Sequence, residues 1–137
     1  MNLKYMPEID TIYIYLDSKT AKILIPFEGD ERIGKFVDKA SRKKTCGYEI
    51  EGAKENLLNS LVKLDLSLKQ ILAIGVYFIR ISNGLTQEEM ASEIQVSLST
   101  YKNLEKAEQN ISIDTVELIN KKYPKVRKII GQSLLAS

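Results

Sequence analysis

Apolar residues along the chain repeat with two different periods, and the change falls near Gly52. Before it the period is two. Thr11-Ile12-Tyr13-Ile14-Tyr15-Leu16 is β-branched and aromatic, Ala21 to Phe27 follows the polar turn Asp17-Ser18-Lys19-Thr20, Ile33 to Val37 adds a short run, and Cys46 to Glu51 alternates. This pattern predicts four or five short strands in a small antiparallel β-meander. Alternation sets Tyr13 and Tyr15 on one strand face and Ile12 and Ile14 on the other, which makes one face a candidate partner surface.

From Gly52 onward the period is helical. Leu57, Leu58, Leu61 and Val62 form a stripe that predicts an amphipathic helix over 53–64. Ser67 is placed to cap a helix over 68–82, with Leu68, Ile71, Leu72, Gly75, Val76 and Ile79 on one face and Ile74, Phe78 and Ile81 widening it, so that helix is largely buried. Asn83-Gly84 ends it, the glycine being free to take positive φ. The division is therefore a β-rich unit over 1–65 and a helical unit over 66–137, an α+β chain.

The helical half holds the informative stretch. Thr86 and Glu89 have the S/T-x-x-E spacing of a capping box and open a short helix whose Met90, Ala91 and Ile94 face inward. Gln95-Val96-Ser97 turns the chain, and Ser97 caps a second helix over 98–106. In it Tyr101 and Leu104 face inward while Leu98, Ser99, Lys102, Asn103 and Lys106 face out. Two short helices joined by a tight turn form a helix-turn-helix. The second helix is about 13 Å long at about 1.5 Å per residue, a match to a major groove about 12 Å wide. Ser99 and Asn103 carry base-edge donors and acceptors, and Lys102 can reach guanine acceptors or a phosphate. Ser112 caps a further helix through Tyr123 with Val116, Ile119 and Tyr123 inward. After Pro124, the spacing of Val126, Ile129, Ile130 and Leu134 predicts a last amphipathic helix. The cluster Lys121, Lys122, Lys125, Arg127 and Lys128 reads as a solvated face or a DNA contact.

At Leu85-Thr86-Gln87-Glu88-Glu89, Ala91, Val96-Ser97, Ser99-Thr100, Leu104-Glu105 and Ile113-Asp114-Thr115-Val116, the sequence resembles the Cro/C1-type (XRE) helix-turn-helix family over roughly residues 70–123. The resemblance implies an all-α, five-helix lambda-repressor-like DNA-binding domain following a β-meander with one helix. It implies that Gln87 clamps a phosphate, that bases are read from Leu98, Ser99, Lys102 and Asn103, that Lys106 meets a phosphate, and that Ser97 stands with the DNA-contacting residues. It also implies a structural ion pair between Arg80 and Glu105. The terminal helix would pair two subunits, giving a homodimer on double-stranded DNA with a palindromic operator whose half-sites lie about 34 Å apart. Three positions depart from the family pattern: Gln95 replaces the turn glycine, Tyr101 a smaller buried aliphatic, and Ala107 the glycine after the reading helix. Gln95 in a left-handed conformation would cost about 1 kcal/mol.

Leu3 to Leu16, with Gly47-Tyr48-Glu49-Ile50-Glu51-Gly52-Ala53, more weakly resembles a small bacterial β-rich domain of unknown function associated with toxin–antitoxin loci, over about residues 1–55. Met6 stands where that family usually has Asp. The resemblance implies a partner-binding or dimerisation unit and brings no catalytic residues.

Composition narrows the chemistry. With 137 residues, 44% apolar and 28% charged, the chain has the makeup of one ordinary globular domain or two small ones. Acidic and basic side chains balance through residue 56, so the formal charge of +2 lies in the helical half. There is no histidine and one cysteine, Cys46, which removes His-dependent catalysis, His/Cys zinc sites and any internal disulfide. No catalytic residue, metal ligand set or cofactor is expected. Asp10, Asp17, Glu49 and Glu51 read as the wet face of a sheet, Lys35, Lys39, Arg42, Lys43 and Lys44 as a hairpin loop interrupted by Asp38, and Cys46 as an inert, partly buried thiol. The apolar run Ile71 to Ile79 is well short of the roughly 20 residues of a membrane span, and the first residues lead into no signal-peptide core, so the expected setting is cytoplasmic, with no membrane partner. The reading is a sequence-specific DNA-binding transcriptional regulator acting as a repressor by occupancy. Its leading variant is the autoregulating antitoxin of a toxin–antitoxin pair, with a cognate toxin as partner. The alternative, from a different class, is a non-DNA protein-interaction scaffold whose amino-terminal domain binds a partner protein.

Overall fold

A computed structural model of the chain describes residues 1–124. The chain divides into two compact units, Met1–Ser60 and a second from Leu61 onward.

The first unit is a five-stranded antiparallel sheet of β1 (Asn2–Met6), β2 (Thr11–Tyr15), β3 (Lys22–Pro26), β4 (Ile33–Asp38) and β5 (Thr45–Glu51), followed by helix α1 (Ala53–Leu61). The strand order is β1-β2-β5-β4-β3. This corrects the sequential meander: β5 lies between β2 and β4, and β3 forms the far edge. The physical reason is burial. Cys46, Gly47, Tyr48 and Ile50 of β5 are all buried, and a strand buried to this extent belongs away from the edges of a sheet. Asp17-Ser18-Lys19-Thr20 is accordingly a crossover rather than a hairpin turn. Its shape is held by the Asp17 carboxylate, which accepts from Lys19 N (3.0 Å), Thr20 N (3.2 Å), Thr20 Oγ1 (2.6 Å) and Lys44 Nζ (2.6 Å).

Register follows from the two-residue period. Tyr5, Ile12, Ile50 and Ile33 are successive cross-strand partners, all buried, on one face. Asn2, Tyr15, Gly47, Phe36 and Leu24 run across the other. Gly47 is required where it stands: a Cβ there would lie 2.1 Å from Ile14 O. Helix α1 starts against Asp10, whose carbonyl accepts from Ala53 N (3.0 Å) and whose Oδ1 accepts from Lys54 N (3.2 Å) and Tyr5 Oη (2.6 Å). The helix ends earlier than the apolar stripe suggested, at Leu61, where Leu64 N turns back to the Leu61 carbonyl (3.2 Å). Cys46 is fully rather than partly buried.

The second unit contains α2 (Leu68–Ser82), α3 (Gln87–Glu93), α4 (Leu98–Glu105) and α5 (Ile113–Lys122). Four of the five helices expected for this domain thus lie among the described residues. The fifth, expected around Val126, Ile129, Ile130 and Leu134, falls outside them, as do Lys125, Arg127 and Lys128. Each helix starts on a Ser or Thr: Ser67 and Thr86 make reciprocal capping boxes with Gln70 and Glu89, and Ser97 and Ser112 accept from Thr100 N and Thr115 N. The core joins Leu72, Val76 and Ile79 of α2, Met90, Ala91 and Ile94 around α3, Tyr101 and Leu104 of α4, and Ile119 of α5. Each large aliphatic among them contributes about 1.5–3 kcal/mol by leaving water. No helix among the described residues is long and apolar enough to cross a membrane.

Candidate nucleic-acid interface

Helix α3, the following turn and α4 are assembled by the same local device used at the end of α2. Gly84 N donates to Ile81 O (3.1 Å) and Leu85 N to Arg80 O (3.0 Å). Gln95 N donates to Ser92 O (3.2 Å) and Val96 N to Ala91 O (3.0 Å). Ala107 N donates to Leu104 O (3.0 Å) and Glu108 N to Asn103 O (3.0 Å). These are three Schellman motifs, and each needs a left-handed residue at its centre. Gly84 supplies φ of +67°, but Gln95 and Ala107 adopt +58° and +57° without being glycine. The turn after α3 thereby has the same left-handed hydrogen-bonded form as the glycine turn after α2. It leaves Val96 packed against the core and Ser97 in position to cap α4.

Helix α4 presents two different faces. Tyr101, Leu104 and Glu105 are buried. Leu98, Ser99, Lys102, Asn103 and Lys106 form the opposite stripe: Leu98 is 37% exposed, Ser99, Lys102 and Lys106 are exposed, and Asn103 is half-buried. Lys106 is the C-cap rather than the last helical residue, so the helix has eight residues and is about 12 Å long. The stripe carries two ammonium groups and no carboxylate. Ser97 is exposed, and its Oγ accepts from Thr100 N (3.1 Å) and donates to Thr100 Oγ1 (2.9 Å), so its first duty is as a cap.

Helix α4 is bound to the rest of the unit from beneath. Arg80 Nε donates to Glu105 Oε2 at 2.6 Å and its second terminal nitrogen to Oε1 at 3.1 Å, a two-point pair whose side chains are 12% and 8% exposed. The remaining guanidinium nitrogen donates to the Leu85 carbonyl (3.1 Å), and the group lies 5.5 Å from the centre of the Tyr77 ring. Burial alone would weaken the guanidinium's hold on its proton, but the Glu105 hydrogen bond and charge outweigh it and raise the pKa. Gln87, the first residue of α3, joins the same carboxylate: its Nε2 donates to Glu105 Oε1 at 3.1 Å. This link fixes the amide expected to meet phosphate, and no local spacing announces it. This bond leaves one amide N–H and the amide oxygen of Gln87 unused. Tyr101 is fully buried, and among the described residues its hydroxyl, which lies near Glu105 and Arg80, makes no hydrogen bond of good geometry. Burial, and next to it the Glu105 carboxylate, pushes its pKa far above the ordinary phenol value, so it is neutral.

The basic cluster divides. Lys122 Nζ donates to the Glu93 carbonyl (2.7 Å) and lies 3.5 Å from its carboxylate, joining α5 to the carboxyl end of α3, while Lys121 is exposed. In the first unit, the acidic residues considered as a wet face do not converge on one site. Asp10 caps α1, Asp17 holds the crossover, and Glu49 has its pKa raised first by burial and then by Glu51.

Residues 76–126 match the family model described as Helix-turn-helix. Comparison with curated proteins and with solved structures gave no significant match. The matched segment starts inside α2 and takes in the capped α3, the left-handed turn, α4 with its buried anchor, and α5. Residues 76–126 are therefore a helix-turn-helix domain of the Cro/C1 (XRE) kind, the domain of DNA-binding transcription regulators.

Proposed function

We propose that the chain is a sequence-specific repressor that binds a palindromic operator as a homodimer. Helix α4 enters the major groove, Leu98, Ser99, Lys102 and Asn103 meet base edges, and Gln87, Ser97 and Lys106 hold flanking phosphates. Repression is by occupancy, including occupancy of its own promoter. The observation that carries this reading is the polar and basic stripe of α4 standing opposite the buried Arg80–Glu105–Gln87 cluster. An amphipathic helix held this firmly presents its outer side chains in a fixed array, which direct readout requires. A gel shift on the chain's own upstream DNA tests it. A specific complex that is lost in the Lys102→Ala, Asn103→Ala double variant supports the reading, and unaltered specific binding removes α4 as the reading helix.

The antitoxin variant has a separate support. On the open face of the sheet the Tyr13 and Tyr15 rings stack with centroids 6.2 Å apart and planes 5° apart, and Phe36 lies 5.6 Å from Tyr15. A half-exposed aromatic row of this kind is suited to docking a protein. In this variant the amino-terminal unit binds a toxin, and the full chain co-purifies with the product of an adjacent gene. A chain that purifies with no such partner counts for the plain repressor.

A further inference from the structure

The sheet has two open edges, and they are built differently. Edge strand β1 carries Lys4 at its centre, exposed; self-pairing about that point would set two lysines against each other, a common way of blocking an edge. Edge strand β3 reads Lys22-Ile23-Leu24-Ile25-Pro26, with Leu24 48% exposed and Ile23 and Ile25 half-buried. Nothing charged interrupts its middle.

Hydrogen-bond parity fixes what that edge offers. Phe27 N donates to Ile33 O (3.2 Å) and Lys39 N to Ala21 O (2.9 Å), so the odd-numbered residues of β3 aim their peptide groups at β4. The even-numbered residues aim theirs outward: the N–H and C=O of Lys22 and Leu24, and the C=O of Pro26. Proline has no N–H, which confines it to such an outward position. An antiparallel copy of the same strand, related by a two-fold axis at Leu24, meets this set except for the Lys22 carbonyls. Leu24 exchanges both N–H···O bonds with Leu24 of the second copy, and each Lys22 N–H meets the Pro26 carbonyl of the other chain. The proline's missing donor leaves each Lys22 carbonyl without a partner at the two ends of the ladder, where water can reach it.

Side chains agree with that register. Leu24 lies against Leu24, and on the other face Ile23 lies against Ile25 of the second copy, twice. Each Lys22 stands beside Pro26 rather than beside another Lys22, so no like charges oppose. The row Tyr15, Phe36, Leu24 already runs to this edge across β5 and β4, and the second copy continues it through its own Leu24, Phe36 and Tyr15.

We infer that β3 pairs with β3 of a second copy of this chain, joining two five-stranded sheets into one ten-stranded sheet across a two-fold axis at Leu24. This names a surface for the homodimer of the proposed function. It is tested without DNA, so failure of operator binding and failure of this contact are separate results.

Sedimentation of the full chain at micromolar concentration is expected to show a dimer, and Leu24→Lys is expected to raise its dissociation constant at least tenfold. Leu24→Cys supplies a readout that does not depend on loss of folding. Paired Cα atoms at this step lie about 5.5 Å apart, inside the range a disulfide spans. Mild oxidation of that variant gives a covalent dimer, whereas Ile9→Cys, 57% exposed but in the β1–β2 turn, and the parent chain with its buried Cys46 do not. A monomeric parent chain, an unchanged dimer in Leu24→Lys, or cross-linking of Leu24→Cys no faster than that of Ile9→Cys each overturns the contact.

Discussion

Gln95 and Ala107 hold left-handed conformations at the two ends of α4, at φ of +58° and +57°. The same motif at Gly84 uses the residue that adopts this conformation without strain. For an L-residue the left-handed region costs about 1–2 kcal/mol, because Cβ crowds the following carbonyl. Glycine gives back about 0.4–1 kcal/mol through the greater freedom of the unfolded chain. Gln95→Gly and Ala107→Gly are therefore each expected to stabilise the helical unit by about 0.5–1 kcal/mol. The sites lie at opposite ends of α4, so the double variant gains roughly the sum. For a unit of this size 1 kcal/mol moves Tm by about 4–8 °C, so the double variant melts roughly 4–16 °C higher. Gly84→Ala is the control of opposite sign. No atom lies within 4 Å of the added Cβ, so its loss of about 1 kcal/mol is backbone strain alone. Thermal and urea unfolding followed by far-UV circular dichroism reads all four proteins. A double variant less stable than the parent, or a neutral Gly84→Ala, refutes the reasoning.

Other perturbations test the cluster beneath α4 and the crossover of the sheet. Glu105→Ala leaves the Arg80 guanidinium buried without its carboxylate, and urea unfolding is expected to show a loss of about 3–5 kcal/mol, with Glu105→Gln losing less because it keeps an acceptor for Arg80. Tyr101→Phe removes a buried hydroxyl that makes no well-formed hydrogen bond among the described residues and is expected to raise stability by about 1 kcal/mol in the same assay. Asp17 is held below its ordinary pKa of 3.8 by hydrogen bonds from Lys44 and then Thr20. Because the folded value is the lower one, its contribution is complete above the unfolded pKa and is lost as pH falls below it. The difference in Tm between the parent and Asp17→Asn is thus expected to stay constant from neutral pH to about 5 and to shrink below about 4. A difference that grows on acidification contradicts that role.

The helical half was legible because its signals are local. Ser67, Thr86, Ser97 and Ser112 are caps recognisable by type and spacing, and they place the starts of α2, α3, α4 and α5. Tyr101 and Leu104 fall inward on helical period alone. Gln87 meeting Glu105 across 18 residues could not be read, because the meeting depends on how α3 crosses α4. Lys122 looked like part of a solvated or DNA-facing run, and only the packing of α5 brings its ammonium to the end of α3. In the sheet, alternation identified the strands and their faces but not their neighbours. Short strands of similar composition do not declare their pairing, and the buried stretch of β5 was the one clue to its central place.

The most direct test of the account compares binding to the operator with binding to a scrambled duplex, for the parent, the Lys102→Ala, Asn103→Ala double variant and Lys106→Ala, across a range of salt. If α4 reads bases, the double variant loses most of the ratio between the two duplexes, about 1–3 kcal/mol for each good base contact removed. Lys106→Ala weakens binding to both duplexes alike and lowers the salt slope by about 1, as expected for a lost phosphate contact. A ratio unchanged in the double variant, with affinity intact, contradicts the claim that this helix selects the DNA sequence.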